Sequence, residues 1–282
     1  GVMAGVAAAA LVLIVWGHVG KALLAALGGA FVLAGLGLAD DRAGLSALLR
    51  LLAQVLVAGG FLALAGLAGG AMGLLLLLGL VWMGNLYNFM DGSDGLAGGM
   101  AVFGFGAFAW AAGQGSEPAL AAVCAGVAAA AAGFLCFNFH PARIFMGDVG
   151  SVPLGFTAGA LGLVGWRSGA WPLWFPLLVF APFILDATVT LLRRALRGEK
   201  VWQAHRSHYY QRMVQMGLGH RGTALRAYGL MALCGVAAVT GLRVGFSLQC
   251  AIITMCITAH LIVGYRIDRA WRSHRAGEPE KP

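Results

Sequence analysis

The sequence predicts an all-α fold, a polytopic bundle of transmembrane helices, on three observations. Of its 282 residues 60% are hydrophobic and only 11% charged, where a soluble domain of this size would carry roughly a quarter charged residues. The mean hydropathy is +0.83. Apolar runs long enough to cross about 30 Å of hydrocarbon recur from one end to the other. The 44 glycines fit the same class, because small residues let helices approach closely in lipid.

Ten spans are expected, near residues 2–16, 21–39, 48–66, 72–88, 97–113, 118–137, 152–166, 172–192, 224–242 and 247–266, forming one integral-membrane domain over 1–282. The first, GVMAGVAAAALVLIVWG, lacks the basic n-region and cleavage site of a signal peptide and reads as a membrane helix. The second ends on LADDRAGLS and the fourth on NLYNFMDGSDG, where Gly92 and Gly95 argue for a broken helix end. Alanine runs such as AAAAAG in the sixth suit tight packing. Before the seventh, RIFMGDVGS sets Asp148 between Gly147 and Gly150, a tight turn presenting one carboxylate. The eighth carries Asp186 about two turns before Arg193. Soluble-type composition appears only in 193–223 and in the tail, 267–282. The five cysteines lie in apolar runs without C-x-x-C or C-x-x-H spacing and read as small buried hydrophobes.

Charge orients the bundle. Sixteen of the nineteen basic residues fall in the connections near 42–50, 140–150 and 193–223, in the tail, or at adjoining span ends. Lys21, Arg167 and Arg243 make up the other set. The positive-inside rule places the first set in the cytoplasm, with cytoplasmic loops near 40–50, 85–96, 138–151 and 193–223. The net charge of +8 then reflects topology and anionic lipid, and nucleic acid is excluded as a partner because no binding fold accompanies it.

Asp40, Asp41, Asp91, Asp94 and Asp148 all fall at span ends on that same side. Carboxylates at membrane depth are costly and usually mark a site. Clustered, they repel unless a cation sits among them, and aspartate and asparagine oxygens suit Mg²⁺. Asn85, Asn88, Asp91 and Asp94 recur every three residues, aligning roughly on one helical face while the helix persists. The segment VWQAHRSHYYQRM brings His205, Arg206, His208 and Arg212, and arginine suits planar recognition of phosphate. Mg²⁺, basic side chains and a membrane cleft point to phosphoryl transfer between a lipid and a cytosolic substrate. His18, His260 and His274 read as structural or solvated, and His140 as a helix-end residue.

LADDRAGLSALLRLLAQ, NLYNFMDGSDGLAGG, FNFHPARIFMGDVGS and HRSHYYQR resemble, in order and spacing, the polyprenyl-phosphate N-acetylhexosamine-1-phosphate transferase superfamily of the MraY/WecA type. The resemblance runs over essentially the whole chain. It implies a UDP-N-acetylhexosamine donor, a polyprenyl (undecaprenyl) phosphate acceptor and release of UMP, with Mg²⁺, or Mn²⁺ in its place, as cofactor. It implies Asn88 and Asp148 as metal ligands, Asp40 and Asp41 near the lipid phosphate, and Asp91 and Asp94 near the nucleotide-sugar. Arg50, Asn85, His205, Arg206 and His208 would bind substrate and phosphate. It further implies a bacterial inner (plasma) membrane, a cytoplasmic active site and, as in related enzymes, a homodimer.

Two departures stand out. The family carries one more N-terminal helix and a P-T-P-R-G-G-G-like stretch before the first span seen here, and this sequence begins at a glycine matching the last of that run, so the family's first helix is expected to be missing from it. Its histidine loop reads H-R-S-H rather than H-H-H, which leans away from a muramoyl-pentapeptide substrate and towards enzymes that initiate O-antigen or capsule. The competing classes are a Mg-dependent intramembrane prenyltransferase and an ion-coupled transporter. The first needs two N-D-x-x-D repeats, and the second places acids near the midplane rather than at one face.

Overall fold

A computed structural model describes residue 3 and residues 5–7, 19–115, 117–203 and 205–276. Most of the first expected span, with His18, and residues 277–282 of the tail lie outside the described residues. Within that span Met3 and 5–7 are helical, and Val6 is buried.

The described residues form helices and no strand. Helix α1 (Lys21–Ala43) ends at Gly44, whose φ of 64° only glycine adopts easily and whose N–H donates to the Asp40 carbonyl at 2.8 Å. Helix α2 (Ala47–Leu64) starts on Ser46, whose hydroxyl accepts from the Leu49 N–H at 3.3 Å. After α3 (Gly70–Phe89) and α4 (Leu96–Gly113), Pro118 opens α5 (Pro118–Asn138) at a position that needs no N–H donor. Helix α6 (Asp148–Arg167) follows a turn at Gly147 with φ 61°. It starts four residues earlier than the sequence indicated, so Asp148 belongs to the helix itself.

The eighth expected span is not one helix. It is α7 (Trp174–Val179) and α8 (Ala181–Leu196), parted at Phe180 (φ −94°, ψ 8°) just before Pro182, which cannot donate a helical hydrogen bond. The 193–223 segment is also partly helical. It holds α9 (Tyr209–Met213), a π-turn over Val214–Leu218 and the start of α10 (Gly219–Gly241). Helix α11 (Phe246–Ala276) runs ten residues past its expected end, since no proline interrupts YRIDRAWRSHRA and the next glycine is Gly277. Eight described helices are long and apolar enough to cross a membrane, counting Tyr209–Gly241 as one.

Helix α6 is the axis of the bundle. Every residue from Gly150 to Gly165 except Gly159 is buried, as expected of a helix apolar on all sides. It packs on α1 and α3, while α4 pairs with α5 and receives α10 on another side. Helix α11 is the opposite case: Cys256 is its one buried residue, and Leu248, Met255, Leu261 and Ile262 face outward. Cys124 and Cys234 are buried like Cys256, whereas Cys136 and Cys250 are exposed on the outer faces of α5 and α11. The expectation of small buried hydrophobes therefore holds for three of the five.

One close approach sets the height of α6 against α1. A Cβ added to Gly37 would lie 2.7 Å from the Val149 nitrogen and 2.8 Å from the Asp148 carbonyl. Gly37→Ala must therefore push the start of α6 away, an overpacking cost of about 1–3 kcal/mol. Thermal unfolding in detergent should show a lower Tm for the variant, and an unchanged Tm would mean that the two helices are not in this contact.

Candidate active site

Four helix ends meet at one end of the bundle. Helix α1 brings Asp40 and Asp41 in its last turn, α2 brings Arg50 from its first, α3 ends with Asn85 and Asn88, and α6 begins with Asp148. The chain runs up and down, so ends of opposite polarity come together here. Asp148 in the first turn of α6 also gains from the positive end of the helix dipole.

Arg50 joins them. Its Nη1 donates to Asp40 Oδ2 at 2.9 Å and to Asp148 Oδ2 at 3.1 Å. The other oxygen of Asp40 accepts from the Leu45 N–H at 2.7 Å, which fixes the carboxylate against the turn between α1 and α2. Asp41 is exposed and borders the Gly147 turn, its Oδ2 3.9 Å from where a Cβ there would stand. Asn88 Oδ1 accepts from the Ser151 hydroxyl at 2.8 Å, tying α3 to α6. Asn85 donates to Gln54 Oε1 at 2.6 Å and to the Val81 carbonyl at 2.8 Å, leaving its own oxygen unused in these contacts.

These residues enclose a cleft of about 140 Å³. Asp40, Arg50, Gln54, Asn85, Asn88 and Asp148 line its polar side, and Leu33, Leu36, Leu51 and Val152 its apolar side. A charged group with a hydrocarbon tail suits such a lining.

Asp91 and Asp94, expected together, part company. Asp91 lies in the loop after α3, beside Asp148 and the Gly147 N–H. Burial, and then the Asp148 carboxylate, push its carboxyl up to about 7 against the lowering effect of the Gly147 hydrogen bond. Asp94 turns to the other side. Its Oδ2 accepts from His140 Nδ1 at 2.7 Å and from the Ala142 N–H at 3.2 Å, and His220 lies 3.7 Å from Oδ1. Burial raises its pKa, but the hydrogen bonds from His140 and Ala142 and the charges of both histidines bring it below the ordinary carboxylate value. Asn138 completes the junction, accepting from the Gly95 N–H at 3.0 Å and donating to the Ile144 carbonyl at 2.9 Å. The Asp94 carboxylate therefore fastens two loops to each other.

The basic loop packs on the end of α3. The His208 ring lies parallel to Phe89 at 6.2 Å, and the Tyr210 hydroxyl donates to the Phe89 carbonyl at 2.9 Å. His208 is 2% exposed, and Asp186 Oδ1 stands 3.3 Å from its Nδ1. Asp186 also accepts the N–H groups of Tyr209 at 2.9 Å and Tyr210 at 3.1 Å, so it anchors the start of α9. His205 packs at 4.8 Å from His208; burial and then the charge of His208 bring its pKa down to about 4. It is neutral at neutral pH. Arg206 is exposed and remains the loop's free cation among His205, Arg206 and His208.

Sequence reasoning missed Gln54 and His220 and took His140 for a helix-end residue. Gln54 closes the stretch LADDRAGLSALLRLLAQ but is an uncharged amide at the far end from its aspartates, and His220 lies in a basic segment with no motif around it.

Among the described residues no group of three or more His, Cys, Asp or Glu is arranged to hold a metal ion. Mg²⁺ asks for less, one or two carboxylates completed by substrate phosphate and water. Asn88 and Asp148 both line the cleft and offer the oxygen donors that a hard cation takes, with Asp91 beside Asp148.

Residues 23–165, which include every acidic and amide residue of this cleft, match the family model described as glycosyl transferase family 4. The chain is 32% identical to a probable undecaprenyl-phosphate N-acetylglucosaminyl 1-phosphate transferase of Bacillus subtilis, over 75% of this chain and 63% of the relative. It is 29% identical to an undecaprenyl-phosphate alpha-N-acetylglucosaminyl 1-phosphate transferase of Yersinia pestis, over 85% and 71%. A phospho-N-acetylmuramoyl-pentapeptide-transferase of Geobacillus thermodenitrificans is 45% identical, over 34% of this chain and 30% of its own length. The chain thus spans less than two thirds of the Bacillus relative's length.

Arg50→Gln removes the cation shared by Asp40 and Asp148. Stability without divalent metal should fall by roughly 1 kcal/mol, the scale of a half-exposed ion pair. Added Mg²⁺ should then raise the Tm of the variant by more than that of the parent, because it meets no competing guanidinium. Equal Mg²⁺ shifts would show that Arg50 and the metal do not share these carboxylates.

Proposed function

Because the chain belongs to glycosyl transferase family 4, we propose that it transfers N-acetylhexosamine 1-phosphate from a UDP-sugar to polyprenyl phosphate and so starts a lipid-linked envelope glycan. The observation that carries the reading is the shared Arg50, set between Asp40 and Asp148 at a cleft whose other wall is leucine and valine. It supports a phosphate at the polar side with its prenyl chain against Leu33, Leu36 and Leu51. UDP-N-acetylglucosamine is the donor to test first, since the Bacillus and Yersinia relatives, which align with most of the chain, carry that sugar in their names. The H-R-S-H loop favours the same choice over a muramoyl-pentapeptide donor and fits O-antigen or capsule initiation.

Polyprenyl phosphate has a second pKa near 6 and is largely a dianion at neutral pH, so it needs little help as a nucleophile. One of its oxygens attacks the β-phosphorus of the donor. As that bond forms, the bond from the β-phosphorus to the bridging oxygen breaks, and UMP leaves with the oxygen and its electron pair. Direct displacement is the preferred course, with Asp40 or Asp41 orienting the lipid phosphate or taking its proton and Arg50 facing its charge. Asn88 and Asp148 would hold Mg²⁺, or Mn²⁺ in its place, which when bound screens the diphosphate. Asp91 lies on the donor side, and Asp94 positions the donor loop through His140. Arg206 supplies charge to the diphosphate, while His205 and His208 offer hydrogen bonds. The basic-residue distribution supports a bacterial inner membrane with this site on its cytoplasmic face.

Membranes carrying the protein, given labelled UDP-N-acetylglucosamine, undecaprenyl phosphate and Mg²⁺, should yield a lipid-extractable product and equimolar UMP. Asp148→Asn should abolish the product while the protein remains inserted. No product from any UDP-N-acetylhexosamine, or near-normal turnover by Asp148→Asn, would overturn the reading.

A second measurement addresses the loop. Replacing His205 and Arg206 together by Ala touches no carboxylate, and the loss of an electrostatic donor typically costs about 10²–10³ in rate. At least about a tenfold drop is expected, with the Mg²⁺ dependence unchanged. Parental turnover in neutral detergent would instead assign the loop to membrane anchoring.

A further inference from the structure

A second cavity, of about 600 Å³, opens between the end of α8, α9 and the end of α11. It shares no residue with the cleft above. Five arginines line it, Arg193, Arg197, Arg212, Arg272 and Arg275, together with Trp271 and a single acid, Asp268.

The charges do not balance. Asp268 is shared, accepting from Arg193 Nη1 at 2.6 Å and from Arg212 Nη1 at 2.8 Å. Five cations less one carboxylate leave a surplus of four. The nearest acid to Arg197 is Glu199 at 4.0 Å, and Glu199 already takes Arg194 at 2.7 Å. Arg272 and Arg275 are exposed and have no ion pair among the described residues. Arg212 is 9% exposed, yet its Nε has no hydrogen-bond partner. That nitrogen is closed off by the Tyr209 and Trp271 rings, over which the guanidinium lies, so it is the surplus of cations lining the cavity that an anion would complete.

The position of the cavity narrows the anion. Leu261, Ile262 and Val263 of α11 face outward, and from Arg266 onward basic residues recur every three, at 266, 269, 272 and 275. Tyr265 and Trp271 sit at this change, where amphipathic rings gather at the level of lipid headgroups. A ligand reaching the arginines there can keep its own hydrocarbon beside the apolar face of α11. We propose that this cavity binds the phosphate headgroup of an anionic phospholipid, at a site separate from the transfer cleft. Guanidinium forks suit phosphate oxygens, and the exposed Arg272 and Arg275 are the groups with charge to spare.

Native mass spectrometry of the full chain in neutral detergent tests this with three additives: phosphatidylglycerol, phosphatidylcholine and inorganic phosphate. The parent should retain phosphatidylglycerol over phosphatidylcholine by about tenfold or more, since each cation near a membrane surface is worth roughly fivefold. Arg272→Gln with Arg275→Gln should erase most of that preference, and Arg197→Gln alone should weaken it, which covers the case of a double variant that folds poorly. Arg243→Gln, on the connection between α10 and α11 at the other end of both helices, should leave it intact. Millimolar inorganic phosphate should not displace the lipid. Equal retention of the two lipids by the parent, undiminished retention by the double variant, or an equal loss in Arg243→Gln would overturn the proposal. Full displacement by inorganic phosphate would overturn the lipid assignment in favour of a free anion.

Discussion

The arrangement of this bundle turns on one guanidinium serving two carboxylates. Asp40 and Asp148 are far apart in sequence and sit on different helices, and like charges brought together in a low-dielectric setting repel strongly. Arg50 lies within 3.1 Å of both. It lets α1, α2 and α6 bring their ends to the same level with the two acids sharing one cation. Asp91, which has no such partner, shows the alternative, since its carboxyl is raised to about 7. Carboxylates gathered this closely are what would make the cleft receptive to a divalent cation.

Most of the bundle was legible because hydropathy follows from a solvent constraint that applies residue by residue. In lipid every backbone group must be satisfied within a helix, so long apolar runs become helices with little ambiguity. What the sequence hid were events at helix ends. The division at Phe180 depends on Pro182 within a run that is apolar throughout. The continuation of α11 through Arg266–Ala276 depends on the absence of a breaker in a segment whose polarity suggested a loop.

The site was legible as a set of residues and less so as a set of partners. Spacing by three placed Asn85, Asn88, Asp91 and Asp94 together, but the helix stops at Phe89, and beyond that point periodicity no longer fixes direction. Asp91 turns towards Asp148 and Asp94 towards His140. His208 stood out as a basic residue, yet it is buried beside Asp186, a pairing between positions 22 apart that no local pattern announces. The family-matched stretch, 23–165, ends before this loop. The acidic half of the site thus rests on helices that the family shares, and the basic half on a segment outside the match.

The contrast between α6 and α11 bears on how such a protein would respond to its membrane. A helix that touches lipid along most of its length must tilt or shift when the bilayer thickens or thins. Helix α11, with Cys256 as its one buried residue, is in that position. Helix α6 is screened from the bilayer by its neighbours from Gly150 to Gly165, and Asp148 is its first residue. The acid at the centre of the cleft is therefore mounted on the element least exposed to hydrophobic mismatch. Membranes of different composition would move the periphery first and Asp148 last.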